Sequence, residues 1–163
     1  MKRGKLTDIA GLSSHLGPRQ RILGLDVGSK TIGLALSDPA LGLATPLSTI
    51  RRTKLAADTQ ALLGVIGEFQ VGALVVGLPI NMDGSEGPRC QSVRQFVANI
   101  EQAVDLPVTL WDERLSTAAV TRELIDADVS RKRRSQVVDK LAASFILQGA
   151  LDRIQNLERD TGL

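Results

Sequence analysis

The sequence predicts an α/β domain built on a mixed five-stranded sheet, an antiparallel three-strand meander plus two parallel strands, flanked by helices. Two observations predict it. Three short apolar runs follow one another with only brief turn-forming breaks between them, which reads as a meander. After them, segments of helical apolar spacing alternate with apolar runs of strand length, and such helix-to-strand crossovers lay parallel strands against the meander.

Taken in order, "RILGLDV" and "TIGLALSD" are runs of strand length split by "GSK", a turn signal. "LATPLSTIRR" is the third strand, with Pro46 near one end. Leu55, Leu62, Leu63, Ile66 and Phe69 then fall at helical spacing. "VGALVVGLP" is a continuous apolar run that fits a strand buried on both faces. "NMDGSEGPRC" is rich in turn formers, and Val93, Phe96, Val97 and Ile100 mark the next helix. "LPVTLWDE" is the last strand and ends in acid. "STAAVTRELIDAD" reads as a short helix with Ser116 as N-cap. The final helix is expected from about Ser135 to Leu157, with Val138, Leu141, Ala142, Phe145 and Ile146 on one side. The expected organisation is a loose N-terminal extension over residues 1–20, one domain over 21–157, and a tail over 158–163.

Composition narrows the function. The 163 residues suffice for one ordinary domain with a real core. No apolar stretch approaches the roughly 18 residues of a membrane span, and "MKRGKLTDIAGLSSHLGPRQ" lacks the apolar core of a secretory signal. A single cysteine, Cys90, excludes an internal disulfide framework and a Cys-rich zinc site, so a cytoplasmic protein is expected. The net charge of +2 does not by itself mark a nucleic-acid binder, and one Trp with three Phe gives little surface for base stacking. Backbone and shape would dominate any nucleic-acid contact.

Three acids share a context. Asp26 closes the first strand, Glu113 closes the last, and Asp139 opens the final helix, sharing a face with Ala142, Ala143 and Ile146. Each has an ordinary reading: Asp26 as a turn former, Glu113 as part of a surface charge cluster, Asp139 as a partner of the helix dipole. Together at one rim they would repel one another unless a cation lay between them. Oxygen ligands suit Mg²⁺ or Mn²⁺, and two such ions about 4 Å apart can support phosphodiester cleavage. The only histidine, His15, stands in the extension, which leaves a His-based mechanism without a candidate.

"LGLDVGSKTIGLALSD", "VVGLPINMDGSEGP", "VTLWDERLSTAAV" and "RKRRSQVVDKLAASFIL", in this order, resemble the YqgF/RuvX family of pre-16S rRNA nucleases and Holliday junction resolvase-like proteins. The resemblance covers about Arg21 to Ile154. It implies an RNase H-like fold and a metal-dependent nuclease site made of Asp26, Glu113 and Asp139, holding Mg²⁺ or Mn²⁺. Lys30 and Arg114 are candidates to neutralise phosphate, and Arg131, Lys132, Arg133 and Arg134 to clamp a nucleic-acid backbone. Either group could instead be a solvated surface. Asp83, Glu86 and Asp38 are weaker candidates, while Trp111 is expected in the core.

The expected activity is endonucleolytic processing of precursor 16S rRNA, with four-way DNA junction resolution as the alternative on the same chemistry. A nucleic-acid-binding factor without activity is a third reading, since a fold alone guarantees none. Expected partners are precursor rRNA or branched DNA, with ribosomal particles as a further one. The sequence leaves the oligomeric state open. "DVGSKTIGLALSD" also resembles the first phosphate loop of actin-like and sugar kinase-like proteins, but these need a second, similar domain.

Overall fold

A computed structural model describes residues 6–115 and 131–160, the latter with backbone alone over 131–140. The sheet consists of β1 (Arg21–Val27), β2 (Thr31–Ser37), β3 (Ala44–Arg51), β4 (Val71–Leu78) and β5 (Val108–Asp112), in the spatial order β3-β2-β1-β4-β5. β1 pairs antiparallel with β2, and β2 with β3, while β1–β4 and β4–β5 are parallel. This is the mixed sheet the sequence predicts. The helices are α1 (Ile9–Leu12), α2 (Leu55–Glu68), α3 (Pro88–Glu101) and α4 (Arg131–Asp160). None of the helices among the described residues is long and apolar enough to cross a membrane.

Strand periodicity sorts the side chains onto two faces. Leu23, Leu25, Val27, Leu74, Val76 and Leu78 join one core with α2 and α3, through Leu62, Val93, Phe96, Val97 and Ile100. Ile22, Ala73, Val75 and Trp111 join the other with α4, through Ala143, Ile146, Leu147, Ala150 and Leu151. Two covered faces explain why β1 and β4 read as unbroken apolar runs. Pro46, which has no N–H, sits on the edge strand β3, where the β2–β3 register shifts between Leu34 and Ala35.

Gly24, Ala35 and Ala73 are small residues on the face under α4, so the helix approaches closely there. A Cβ at Gly24 would lie 2.7 Å from Leu147 Cβ and 3.2 Å from the Ala143 carbonyl. Side chains further along α4 fix its direction. Gln148 Nε2 donates to Gly42 O (3.0 Å), Gln148 Oε1 accepts from Ala44 N (2.9 Å), and Gln155 Nε2 donates to Leu41 O (3.2 Å). That loop stands level with the start of β1, because Ile22 pairs beside Ser37, whose hydroxyl accepts the Ile22 N–H at 2.8 Å. Residue numbers therefore fall along α4 as they rise along β1.

Three expectations need correction. Residues 6–20 are not loose: Thr7 N donates to Val108 O (2.8 Å), Thr109 Oγ1 donates to Thr7 O (2.7 Å), and Leu12 is fully buried under α4. Leu6, Leu12 and Leu16 lack a clean period because the segment passes from a β-bridge into a helical turn, and packing holds it. The final helix includes Arg131 to Arg134 instead of following them, and it continues to Asp160. Asp139 is thus two turns inside α4, beyond the reach of the terminal dipole. The helix expected from Ser116 lies outside the described residues.

Candidate metal centre and its surroundings

Asp26 stands in one register row across the sheet. It faces Gly33 on β2, Gly33 faces Thr49 on β3, and Gly77 on β4 faces Trp111 on β5. The β1–β4 register, Gly24 opposite Val75 and Leu25 opposite Val76, carries on to put Gly77 beside Asp26. Asp26 therefore has a residue without a side chain on each flank. Sharing the strand face of Ile22 and Gly24, it belongs to the side that α4 covers.

Glu113 enters the same space from beyond β5. It opens a 3-10 turn, Glu113–Leu115, one residue past the end of β5 at Asp112, where the sequence reading closed the strand on Glu113 itself. A Cβ at Gly77 would lie 3.3 Å from Glu113 Cδ and 2.5 Å from Ile146 Cδ1. The missing side chain at Gly77 thus leaves room for Glu113 and Ile146 to close against β4, in the strand position beside Asp26. Asp26 and Glu113 are both buried, at 4% and 5% exposure, unusual for ionisable groups and costly without a compensating charge.

Asp139 lies on α4, two turns from Arg131. It lies four residues before Ala143, which covers Gly24, so it stands about 6 Å further along the axis. Asp26 is two residues beyond Gly24, about 7 Å in the same direction. The antiparallel run of α4 over β1 therefore brings the Asp139 backbone toward the end of the sheet that holds the other two acids. Asp26 and Glu113 are hard oxygen donors of the type Mg²⁺ and Mn²⁺ take.

The candidate phosphate ligands differ in how they are engaged. Lys30 is exposed on the β1–β2 turn, four residues past Asp26. Arg114 lies against Asp112, with Nη2–Oδ2 at 2.8 Å and Nε at 3.1 Å from both carboxylate oxygens. That guanidinium holds the Asp112 carboxyl below its usual range. Nη1 of Arg114 faces the loop after β4, 3.7 Å from where a Cβ of Gly84 would sit. Arg131, Lys132, Arg133 and Arg134 form the first residues of α4.

The weaker candidates have local roles. Asp83 accepts from Ser85 N (2.9 Å) and the Ser85 hydroxyl, which lowers its pKa and closes the loop. Glu86 takes a two-pronged bond from Arg94 at 2.7 and 2.9 Å. Asp38 is at the far end of β2, away from Asp26, and accepts the Gly42 and Leu43 N–H groups, which draw its pKa down. Gly77 belongs to β4 and not to the loop. Trp111 is buried in the core as expected, and burial raises the pKa of Cys90 inside α3.

Two features were not read from sequence. Thr49 Oγ1, in the register row of Asp26, is buried without a hydrogen-bond partner. Arg52 donates from Nη1 to Gly28 O (2.7 Å), lies 3.8 Å from Asp58 Oδ2, and stacks 5.3 Å from the Phe96 ring centroid. It ties the turn after Asp26 to α2 and α3. The adjoining "IRR" pair in the sequence gives no hint which arginine turns inward.

Known proteins agree with this architecture. The family described as "RuvX: Holliday junction resolvase" matches residues 20–153. A protein of Methylocella silvestris named "Putative pre-16S rRNA nuclease" is 54% identical over 156 residues, 96% of this chain and 97% of that one. A protein of the same name from Paramagnetospirillum magneticum is 62% identical over 143 residues, 88% and 92% of the two chains. Among solved structures, T. thermophilus RuvC in complex with a Holliday junction substrate superposes with a TM-score of 0.53 at 14% identity, covering 83% of this chain and 96% of that one. The yeast mitochondrial Holliday junction resolvase gives 0.54 at 13% identity, covering 93% and 86%. At such identities the likeness is one of fold, the RNase H-like α/β fold. The match over 20–153 and the close relatives together decide the matter: this chain belongs to the RuvX family.

Proposed function

We propose that the protein is a metal-dependent endonuclease that processes precursor 16S rRNA, working in the cytoplasm with the pre-ribosomal particle as its setting. The observation that carries the reading is the pair of buried acids, Asp26 and Glu113, both set against Gly77. A protein that only bound nucleic acid would gain nothing from burying two carboxylates side by side. The names of the relatives supply the substrate.

Membership of the family implies a divalent cation, and the donor set fits Mg²⁺ or Mn²⁺ held by Asp26, Glu113 and Asp139. When bound, such ions activate a water and stabilise the leaving oxygen of a phosphodiester. The chain's own part is positional. A central strand fixes Asp26, the turn after β5 fixes Glu113, and α4 carries Asp139 on a face locked against Gly24. Lys30, Arg114 and the run Arg131 to Arg134 would balance phosphate charge around the cut.

A second reading, cleavage of four-way DNA junctions, is favoured by the family's description. Purified protein with Mg²⁺ or Mn²⁺ should be offered precursor rRNA fragments and a synthetic four-way DNA junction in parallel. The expected result is metal-dependent cutting of the rRNA fragment that Asp26→Asn abolishes while its melting curve and nucleic-acid binding are kept. Cutting of the junction alone would establish the second reading. Binding without cutting of either would make the protein a non-enzymatic factor.

A further inference from the structure

Beside Lys30, the end of the sheet that holds Asp26 also carries Arg51 and Lys54, two cations that the proposed mechanism does not use. Thr31 pairs with Arg51 across β2 and β3, and Arg52 N donates to Lys30 O at 2.8 Å, so the β1–β2 turn and the end of β3 lie side by side. Lys54 follows as the extended N-cap residue of α2, whose cap makes no side-chain hydrogen bond. Lys30, Arg51 and Lys54 are all exposed, and among the described residues none of the three makes a salt bridge. The one acid in this stretch, Asp58, is buried, 3.8 Å from Arg52 and accepting from Thr53 N at 2.9 Å. Three positive charges therefore stand at one rim with no salt-bridge partner among the described residues.

We propose that Lys30, Arg51 and Lys54 form a phosphate-binding strip for the backbone of structured nucleic acid, on the β3 side of the acids. The distance suits the task. Rows run outward from Asp26–Gly33–Thr49 through Val27–Ile32–Ile50 to Thr31–Arg51, so Arg51 lies two residues, about 7 Å, beyond the row of Asp26. A strand whose phosphodiester sits at the acids would run its neighbouring phosphates over this strip. The strip is also pre-organised. Arg52 donates to Gly28 O on one side and rests on Asp58 and Phe96 on the other, so the turn and the strand end move as one piece. Exposed cations on a rigid frame, with no base-reading aromatic beside them, grip backbone and carry no sequence information. The strip adds Arg51 and Lys54 to the surface and deepens the nuclease reading, on which its substrate class rests.

The test is the salt dependence of binding, which needs no cleavage. The full chain and Arg51→Gln/Lys54→Gln are titrated against a labelled RNA stem-loop and a labelled four-way DNA junction between 50 and 200 mM salt, with melting curves as a check on folding. Each lost phosphate contact flattens the log–log slope by about one, so the double variant should lose about two and bind about tenfold or more weakly. Arg51→Lys/Lys54→Arg, which keeps both charges, should restore the slope. Wild-type binding with an unchanged slope in the double variant overturns the strip and leaves the nuclease reading standing. Wild type that binds neither substrate overturns both. A flattened slope in a protein that cuts nothing keeps the strip and removes the nuclease.

Discussion

Asp26 is useful because of what its neighbours lack. Gly33 and Gly77 flank it in the sheet, and Gly77 gives Glu113 and Ile146 the volume that any side chain would fill. Substitution there should disturb chemistry as well as packing. In Gly77→Ala the new methyl would meet Ile146 Cγ1 at 3.1 Å and Glu113 Cδ at 3.3 Å. The fully buried Ile146 has little freedom to yield, so a cost of about 1–3 kcal/mol is expected, or several degrees of melting temperature. Cleavage should fall by more than that loss of folded protein explains, because Glu113 is displaced. A melting curve beside a cleavage rate measured well below the melting temperature separates the two effects. The acids themselves were legible in sequence: a carboxylate at the end of an apolar strand stands out. The glycine between them was not, since "VVGLP" reads equally as strand or as the start of a loop until the register is known.

At the scale of elements, α4 decides whether the third acid can take part. Its contact with β1 is through Gly24, where a Cβ would strike both the Leu147 side chain and the Ala143 backbone carbonyl. Backbone cannot turn aside, so Gly24→Ala must lift the helix. The expected outcome is a destabilisation of about 1–3 kcal/mol in a denaturant melt, together with a loss of cleavage, since Asp139 is lifted with the helix. An unchanged cleavage rate in this variant would show that the helix does not set the site. The strands and their meander were readable from apolar runs and turns. The start of α4 was not: "RKRR" has no apolar period, and a helix announces itself by the face it buries. The N-terminal segment escaped for a related reason, being held by Leu12 in the second core and by a β-bridge at Leu6, neither of which leaves a pattern in sequence.

In the whole molecule, Asp26 and Glu113 lie at the carboxyl ends of parallel strands, the usual place for a site in a sheet of this type. The helix from the chain's end crosses the sheet toward them, and the exposed cations Lys30, Arg51 and Lys54 border the same rim. Asp26, Glu113 and Asp139 come from positions spread over most of the chain. Topology carries Asp26 and Glu113 to one end of the sheet and runs the backbone of α4 at Asp139 toward it, where the sequence disclosed only three separate acids. Lys30, Arg51 and Lys54 were harder to see, because their adjacency depends on strand pairing and on Arg52 turning its charge inward.

Asp26, Glu113 and Asp139 are expected to hold one divalent centre. Titrating Mn²⁺ calorimetrically into the wild type, Asp26→Asn and Asp139→Asn tests it most directly, with no substrate involved. Saturable binding to the wild type is expected, with a loss of at least tenfold in affinity in each variant and all three proteins folded. Asp139→Asn binding Mn²⁺ as tightly as the wild type would contradict it, and would leave Asp26 and Glu113 as a two-acid site to which α4 contributes only packing.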